Sequence, residues 1–153
     1  MFGFVKRKIE KKLHNQQLLL KAQRLELIED FTQTIDELKD EDTNAQLVVG
    51  HGVNMANSFF IQKFQSISVF QSISVFKQKD YIKKLEIMET KLRKQDFLLA
   101  QGFGLFRLWL VVLAWNDTEL IQLINTELEW ISKHGLPLSN PVEYMKEISK
   151  QEE

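Results

Sequence analysis

Apolar side chains recur every third or fourth residue over most of the chain, and this spacing is that of one face of an α-helix. The first stretch extends from about residue 5 to residue 38. Both prolines, Pro137 and Pro141, lie near the carboxyl end, so no obligate helix breaker interrupts residues 1–136. The sequence therefore predicts an all-α protein, a single domain over residues 1–153 that forms a bundle of about four to six helices.

Polar residues mark where these helices begin. Asp42 or Thr43 can cap a second helix by accepting a hydrogen bond from an unpaired backbone amide. Asn116, with Glu119 three residues later, has the spacing of a capping box. Asn140 followed by Pro141 predicts the start of a short last helix, and Gly135 suits the carboxyl cap of the helix before it.

The hexapeptide FQSISV occurs twice in succession, at residues 64–69 and 70–75. Its β-branched and aromatic residues favour a strand, although phenylalanine and isoleucine every third position also suit a helix. Inserting six residues turns the downstream face of a helix by about 120°, whereas an even insertion leaves the faces of a strand unchanged. A lone strand would have no partner in a helical chain. We expect a helix that continues into this stretch and then breaks, with an irregular or strand-like insert at 64–76 as the alternative.

The most apolar stretch is residues 97–115, in which Gln101 and Arg107 are the strongly polar members. Its length just reaches across a bilayer, but Arg107 near the middle would cost about 2.5 kcal/mol or more. We expect a central core helix, with an oligomer core and a membrane span as alternatives. In a core, Arg107 needs a buried carboxylate partner or a route to water.

Composition narrows the class of protein. Hydrophobic residues make up 44% of the chain and charged residues 27%, and these ordinary fractions argue against disorder. The net charge of −1 gives no support for nucleic-acid binding, and the absence of cysteine excludes disulfides, thiolate catalysis and zinc fingers. The basic start is not followed by an apolar block, as a secretory signal would require. We expect a soluble, cytoplasmic protein.

The histidines and glycines do not fall into a pattern typical of catalysis. His14, His51 and His134 are too far apart for a local metal motif, and no Glu-x-x-His pair occurs. Gly50-His51-Gly52 and Gly102-Phe103-Gly104 lack the third glycine and the preceding strand of a dinucleotide site. The sequence therefore predicts no catalytic residues, no metal ligands and no cofactor, which favours a protein that is not an enzyme.

Charge is distributed unevenly along the first predicted helix. Residues 1–24 hold seven Lys or Arg against one Glu, and residues 25–42 hold eight acids against one Lys. This polarity opposes the helix dipole. An antiparallel copy of the helix in a homodimer would compensate it, and so would basic 77–94 and acidic 116–153 of the same chain. A third interpretation is that exposed charges contribute little to stability, in which case the pattern says nothing about the assembly. We favour the homodimer.

The leading functional hypothesis is a non-catalytic interaction or assembly protein that self-associates or binds another protein. Eleven phenylalanines and three tryptophans suit a binding surface, although cores use such residues too. The candidate interface residues are Leu20, Leu27, Phe31, Ile35, Trp109, Trp115 and Trp130.

Two alternative functions remain open. One is an apolar-ligand-binding bundle in which Arg107 orients an acidic group, with a pocket made of Phe103, Phe106, Arg107, Trp109 and Leu113. The other is a peripheral membrane protein held by its basic amino-terminal helix. There, Phe2, Phe4, Val5 and Ile9 would face lipid, and Lys6, Arg7, Lys8, Lys11 and Lys12 would face anionic head groups.

Overall fold

A computed structural model describes residues 2–134 and 141–151, and these residues form an all-α fold, which confirms the predicted class. The described residues contain no strand. In chain order the helices are α1 (Phe2–Lys39), α2 (Thr43–Phe64), α3 (Ile67–Ser72), α4 (Val75–Gln95), α5 (Phe97–Trp115), α6 (Thr118–His134) and α7 (Pro141–Gln151).

Contacts within the chain define two compact units, Met1–Glu37 and Leu38–Glu153. The first unit contains most of α1. Its Leu27, Phe31 and Ile35 follow one another at intervals of four residues, and all three are buried, as the apolar stripe predicts. The single-domain organisation stays a prediction.

Side-chain caps explain why the helices of the second unit begin where they do. Each of α2 to α6 is preceded by a side chain that accepts a hydrogen bond from the backbone N–H three residues later, at 2.8–3.3 Å. Such a cap contributes about 1 kcal/mol. The capping residues are Asp42, Ser66, Ser74, Asp96 and Asp117. Asp42, rather than Thr43, is thus the cap of α2.

The boundary between α5 and α6 lies one residue later than predicted. Asn116 has a left-handed backbone (φ 57°, ψ 31°) and ends α5, while Asp117 caps α6. Asparagine tolerates this conformation better than most residues, which explains its place at the turn. The last helix begins at Pro141 as predicted, with Glu143 in its first turn. The predicted cap at Gly135 lies outside the described residues.

Helix α5 is the centre of the second unit and packs against α2, α4 and α6. Earlier residues of α2 contact earlier residues of α5, and later residues contact later ones. An added Cβ at Gly52 would meet Leu99, whereas the ring centroid of Phe60 lies 6.3 Å from that of Trp109. The two helices therefore run in the same direction. Ten residues of α5 are buried.

The apolar character of α5 agrees with this central place. It is the one helix of the described residues with the length and hydropathy to cross a membrane, and 56% of its most apolar window is buried inside the protein. A helix buried among other helices shows the same composition, because it has no polar face to present to water. Its packing favours the expected core helix.

The repeated hexapeptide forms helix and turn rather than strand. Helix α2 continues through Phe64, a break follows at residues 65–66, α3 covers Ile67–Ser72, and a second break at residues 73–74 precedes α4. Gln65 has a positive φ of 67°, which ends α2 sharply. The strand-like alternative for 64–76 is thus replaced by one short helix between two turns.

Candidate functional site

A buried acid lies on α4 among its apolar residues. Glu89 is 6% exposed and shares its helix face with Leu85 and Leu92. Its Oε1 accepts a hydrogen bond from Nε of Arg107 on α5 at 3.0 Å, and its Oε2 accepts one from Arg93 at 3.0 Å. Both carboxylate oxygens therefore have cationic donors. Of the two alternatives expected for Arg107, a buried carboxylate partner or a route to water, the structure shows the carboxylate.

Gly104 makes space for this carboxylate. A Cβ atom added at Gly104 would lie 2.6 Å from Oε1 of Glu89, which is far inside van der Waals contact. The absence of a side chain lets the acid approach the backbone of α5. The ion pair therefore joins α4 to α5 and is a structural contact between two helices.

An open cleft lies among α2, α5 and α6, with a volume of about 250 Å³. Its apolar side consists of Val53, Phe106, Trp109 and Leu128, and its polar side consists of Asn54, Asn57, Asn125 and Glu129. The rings of Phe106 and Trp109 are 5.1 Å apart and inclined at 58°. Apolar walls with a few convergent polar groups are typical of small-molecule sites.

Trp109, one of the lining residues, has an unsatisfied polar atom. Its side chain is only 6% exposed, and Nε1 is buried with no hydrogen-bond partner in the part of the chain that the structure describes. Burial of an amide-like donor without an acceptor costs about 1–3 kcal/mol. An acceptor that reached this N–H would remove that cost.

Beside the cleft, the rings around Phe60 form a compact aromatic cluster. The centroid of Phe60 lies 5.4–6.4 Å from those of five other rings, which are Phe64, Phe70, Tyr81, Phe106 and Trp109. The Tyr81 hydroxyl within it has no hydrogen-bond partner among the described residues, and burial raises its pKa to about 12. The phenol therefore stays neutral at ordinary pH, and the cluster serves as core.

His51, the histidine that sequence reasoning singled out for its glycine neighbours, lies on α2. Burial lowers its pKa, and the negative charge of Asp96 partly opposes that effect. Asp96 also contributes to a raised pKa at Tyr144, after burial of the phenol. Within residues 2–134 and 141–151, no group of His, Asp and Glu side chains could hold a metal ion.

The residues of the predicted ligand pocket do not form one pocket, because some line the cleft, some lie in the core and Arg107 faces α4. Phe106 and Trp109 line the cleft. Phe103 and Leu113 are buried in the core, at 0% and 1% exposure. Arg107 is not part of the lining, since its guanidinium turns towards α4 and Glu89.

The predicted interface residues also differ in exposure. Trp115 and Trp130 are half-buried, so they keep some surface for a partner. Trp109 was expected to be partly exposed, but it is buried because it packs against Phe60 and Phe106. Leu27, Phe31 and Ile35 are buried, and the side chain of Leu20 lies outside the described residues. The interface itself stays a prediction.

Sequence reasoning missed the polar side of the cleft. Asn54 and Asn57 are three residues apart on α2, and Asn125 and Glu129 are four apart on α6. Each pair therefore shares a helix face with apolar neighbours. Polar pairs of this spacing beside an apolar stripe could have indicated a cleft lining. They do not distinguish it from an ordinary solvated helix face, where such pairs also occur.

The described residues form a helical fold with an open cleft next to its central helix. No known protein-family model, curated protein sequence or solved structure matches the chain.

Proposed function

We propose that this protein is a non-catalytic binding protein that holds a small organic molecule in the cleft among α2, α5 and α6. The observation that carries the proposal is that Trp109, one of the residues lining the cleft, has a buried indole N–H without an acceptor among the described residues. A ligand that accepted this hydrogen bond would gain affinity from a donor that the folded protein leaves unsatisfied.

The lining favours one kind of ligand. Phe106 and Trp109 contribute aromatic carbon to the lining, and at 3% and 6% exposure only a small part of each ring can contact an apolar or cationic group of a ligand. Glu129, the ionisable residue of the lining, already interacts within the protein, so it does not by itself select a cation, but its negative charge disfavours an acid. This polarity is opposite to the acidic ligand expected from Arg107, whose charge is used by Glu89.

The volume limits the ligand to a small molecule. A closed cavity of about 150 Å³ holds benzene. The cleft, at about 250 Å³ and open to solvent, suits a compound of one or two rings with an amine or amide substituent.

The test is a thermal-shift and titration screen with pairs of aromatic compounds that differ only in carrying an amine or a carboxylate. We expect amines to raise the melting temperature and acids to have less effect. Trp109→Phe keeps the ring volume but removes the N–H, so it should weaken binding about tenfold. Trp130→Phe is the matched control, because Trp130 is not part of the lining. Equal binding to wild type and Trp109→Phe, or a preference for acids, would contradict the proposal.

Self-association stays a separate prediction, carried by the charge asymmetry of residues 1–42. Light scattering at micromolar concentration tests it, and a monomer would contradict the homodimer.

A further inference from the structure

Large exposed apolar side chains are concentrated at one corner of the second unit. Phe76 is 86% exposed, more than any other large hydrophobic residue whose side chain the structure describes, and Val75 beside it is 58% exposed. We define the hexad corner as residues 61–76, the end of α2, all of α3 and the start of α4. Its exposed apolar residues are Ile61, Ile67, Val69, Val75 and Phe76.

Buried side chains of the hexad corner anchor its backbone to the core, so the exposed side chains are not exposed because the segment is unpacked. Phe64 and Phe70, the first residues of the two hexapeptides, are buried, and their ring centroids are 5.2 Å apart. The buried amide of Gln78 donates to the carbonyl of Phe70 at 3.0 Å. The apolar side chains that face outward are therefore presented on a fixed backbone.

Lysines are frequent in and directly after the hexad corner. Residues 61–84 hold five lysines and one aspartate, in a chain whose net charge is −1. Lys84 pairs with Asp80 at 3.4 Å. The other four lysines are exposed and form no ion pair within the described part of the chain; they are Lys63, Lys77, Lys79 and Lys83.

The charge of the corner selects its partner. In a symmetric dimer through this corner, the same lysines would face one another across the interface and repel. An anionic surface is attracted instead. The exposed apolar side chains lie at the end of α2, on α3 and at the start of α4. The long stems of lysines in the same stretch can place ammonium groups at the level of lipid head groups.

We propose that the hexad corner docks the protein on an anionic lipid surface. Phe76, Val75 and Val69 enter the boundary between head groups and acyl chains, while the lysines contact lipid phosphates and carboxylates. This surface is separate from the ligand cleft. It also differs from the basic amino-terminal helix that the sequence suggested, where the side chains of Phe2 to Val5 lie outside the described residues.

The test is flotation of the full chain with vesicles of phosphatidylcholine and phosphatidylserine in equal parts, and with vesicles of phosphatidylcholine alone. We expect binding to the mixed vesicles that salt weakens. Phe76→Ser should lower the partition coefficient about tenfold, since it removes most of the inserted apolar area. Lys77→Gln should lower it about fivefold. Phe97→Ser is the matched control, because Phe97 is 61% exposed but lies outside the corner.

Three results would overturn the proposal. One is the absence of binding to the mixed vesicles by protein that circular dichroism shows to be folded. A second is an equal loss of binding in Phe76→Ser and Phe97→Ser. The third is a dimer in light scattering that Phe76→Ser dissociates while lipid binding is absent, which would assign the corner to a second copy of the chain.

Discussion

The two sides of α5 are held to their neighbours in different ways. Towards α2, Gly102 and Gly52 bring backbone against backbone: an added Cβ at Gly102 would overlap the carbonyl of Val49. Towards α4, Gly104 faces the end of a flexible side chain, the carboxylate of Glu89. Two glycines of one Gly-x-Gly sequence thus serve different contacts. The comparison teaches that the cost of adding a methyl group depends on whether the atom it meets can move.

The largest effect is expected at the backbone contact. Gly102→Ala would drive its Cβ into Val49 and the backbone N of Val53, so α2 and α5 must separate. We expect the free energy of unfolding to fall by about 3 kcal/mol. Urea unfolding followed by circular dichroism measures it. A loss no larger than that of Gly104→Ala would show that the two sides of α5 are equivalent.

Breaking the ion pair should have the next largest effect. Glu89→Leu leaves Arg107 partly buried without its carboxylate, and we expect a loss of about 2–3 kcal/mol. Adding Arg107→Met should restore most of the stability, because apolar residues can replace a buried pair. A double-mutant cycle in urea measures the coupling. Independent, additive effects of the two substitutions would contradict the pairing.

Gly104→Ala should change stability much less. Its Cβ displaces the carboxylate of Glu89, but alanine favours the helix by about 1 kcal/mol relative to glycine. The net change should stay within about 1 kcal/mol. In a Glu89→Ala background the obstacle is absent, so the same substitution should become stabilising. If it destabilises there as well, contacts other than Glu89 control this position.

Lowering the pH should slightly reduce the free energy of unfolding through His51 on α2. Because burial lowers the pKa of His51 below its ordinary 6.5, the unfolded chain binds a proton more readily than the folded one. This contribution to stability is present above pH 6.5 and is lost as the pH falls through the lower folded-state pKa. Urea unfolding of wild type and His51→Gln, at neutral pH and about one unit below 6.5, should show a smaller acid-induced loss in the variant. Identical losses would indicate that His51 is not involved.

Helix periodicity made the fold class predictable, because each apolar stripe must be buried against another element. Asp42 was correctly among the predicted caps, and a buried carboxylate was correctly one of the two alternatives given for Arg107. Glu89 was not named, although its place between Leu85 and Leu92 breaks an apolar stripe. The polar side of the cleft was missed for another reason. Asn57 and Asn125 come together only through the packing of α2 beside α6, and one helix alone carries no sign of it.

The two hexapeptides are identical in sequence but differ in backbone. Ile67 begins a helix, whereas its counterpart Ile73 is extended, with a ψ of 166°. Removing either copy would leave the same shorter chain, with one phenylalanine in place of Phe64 and Phe70 and a single segment to turn from α2 into α4. A chain with one copy therefore cannot keep both buried rings and both turns, and the duplication makes this corner of the molecule a feature that is gained or lost as a whole.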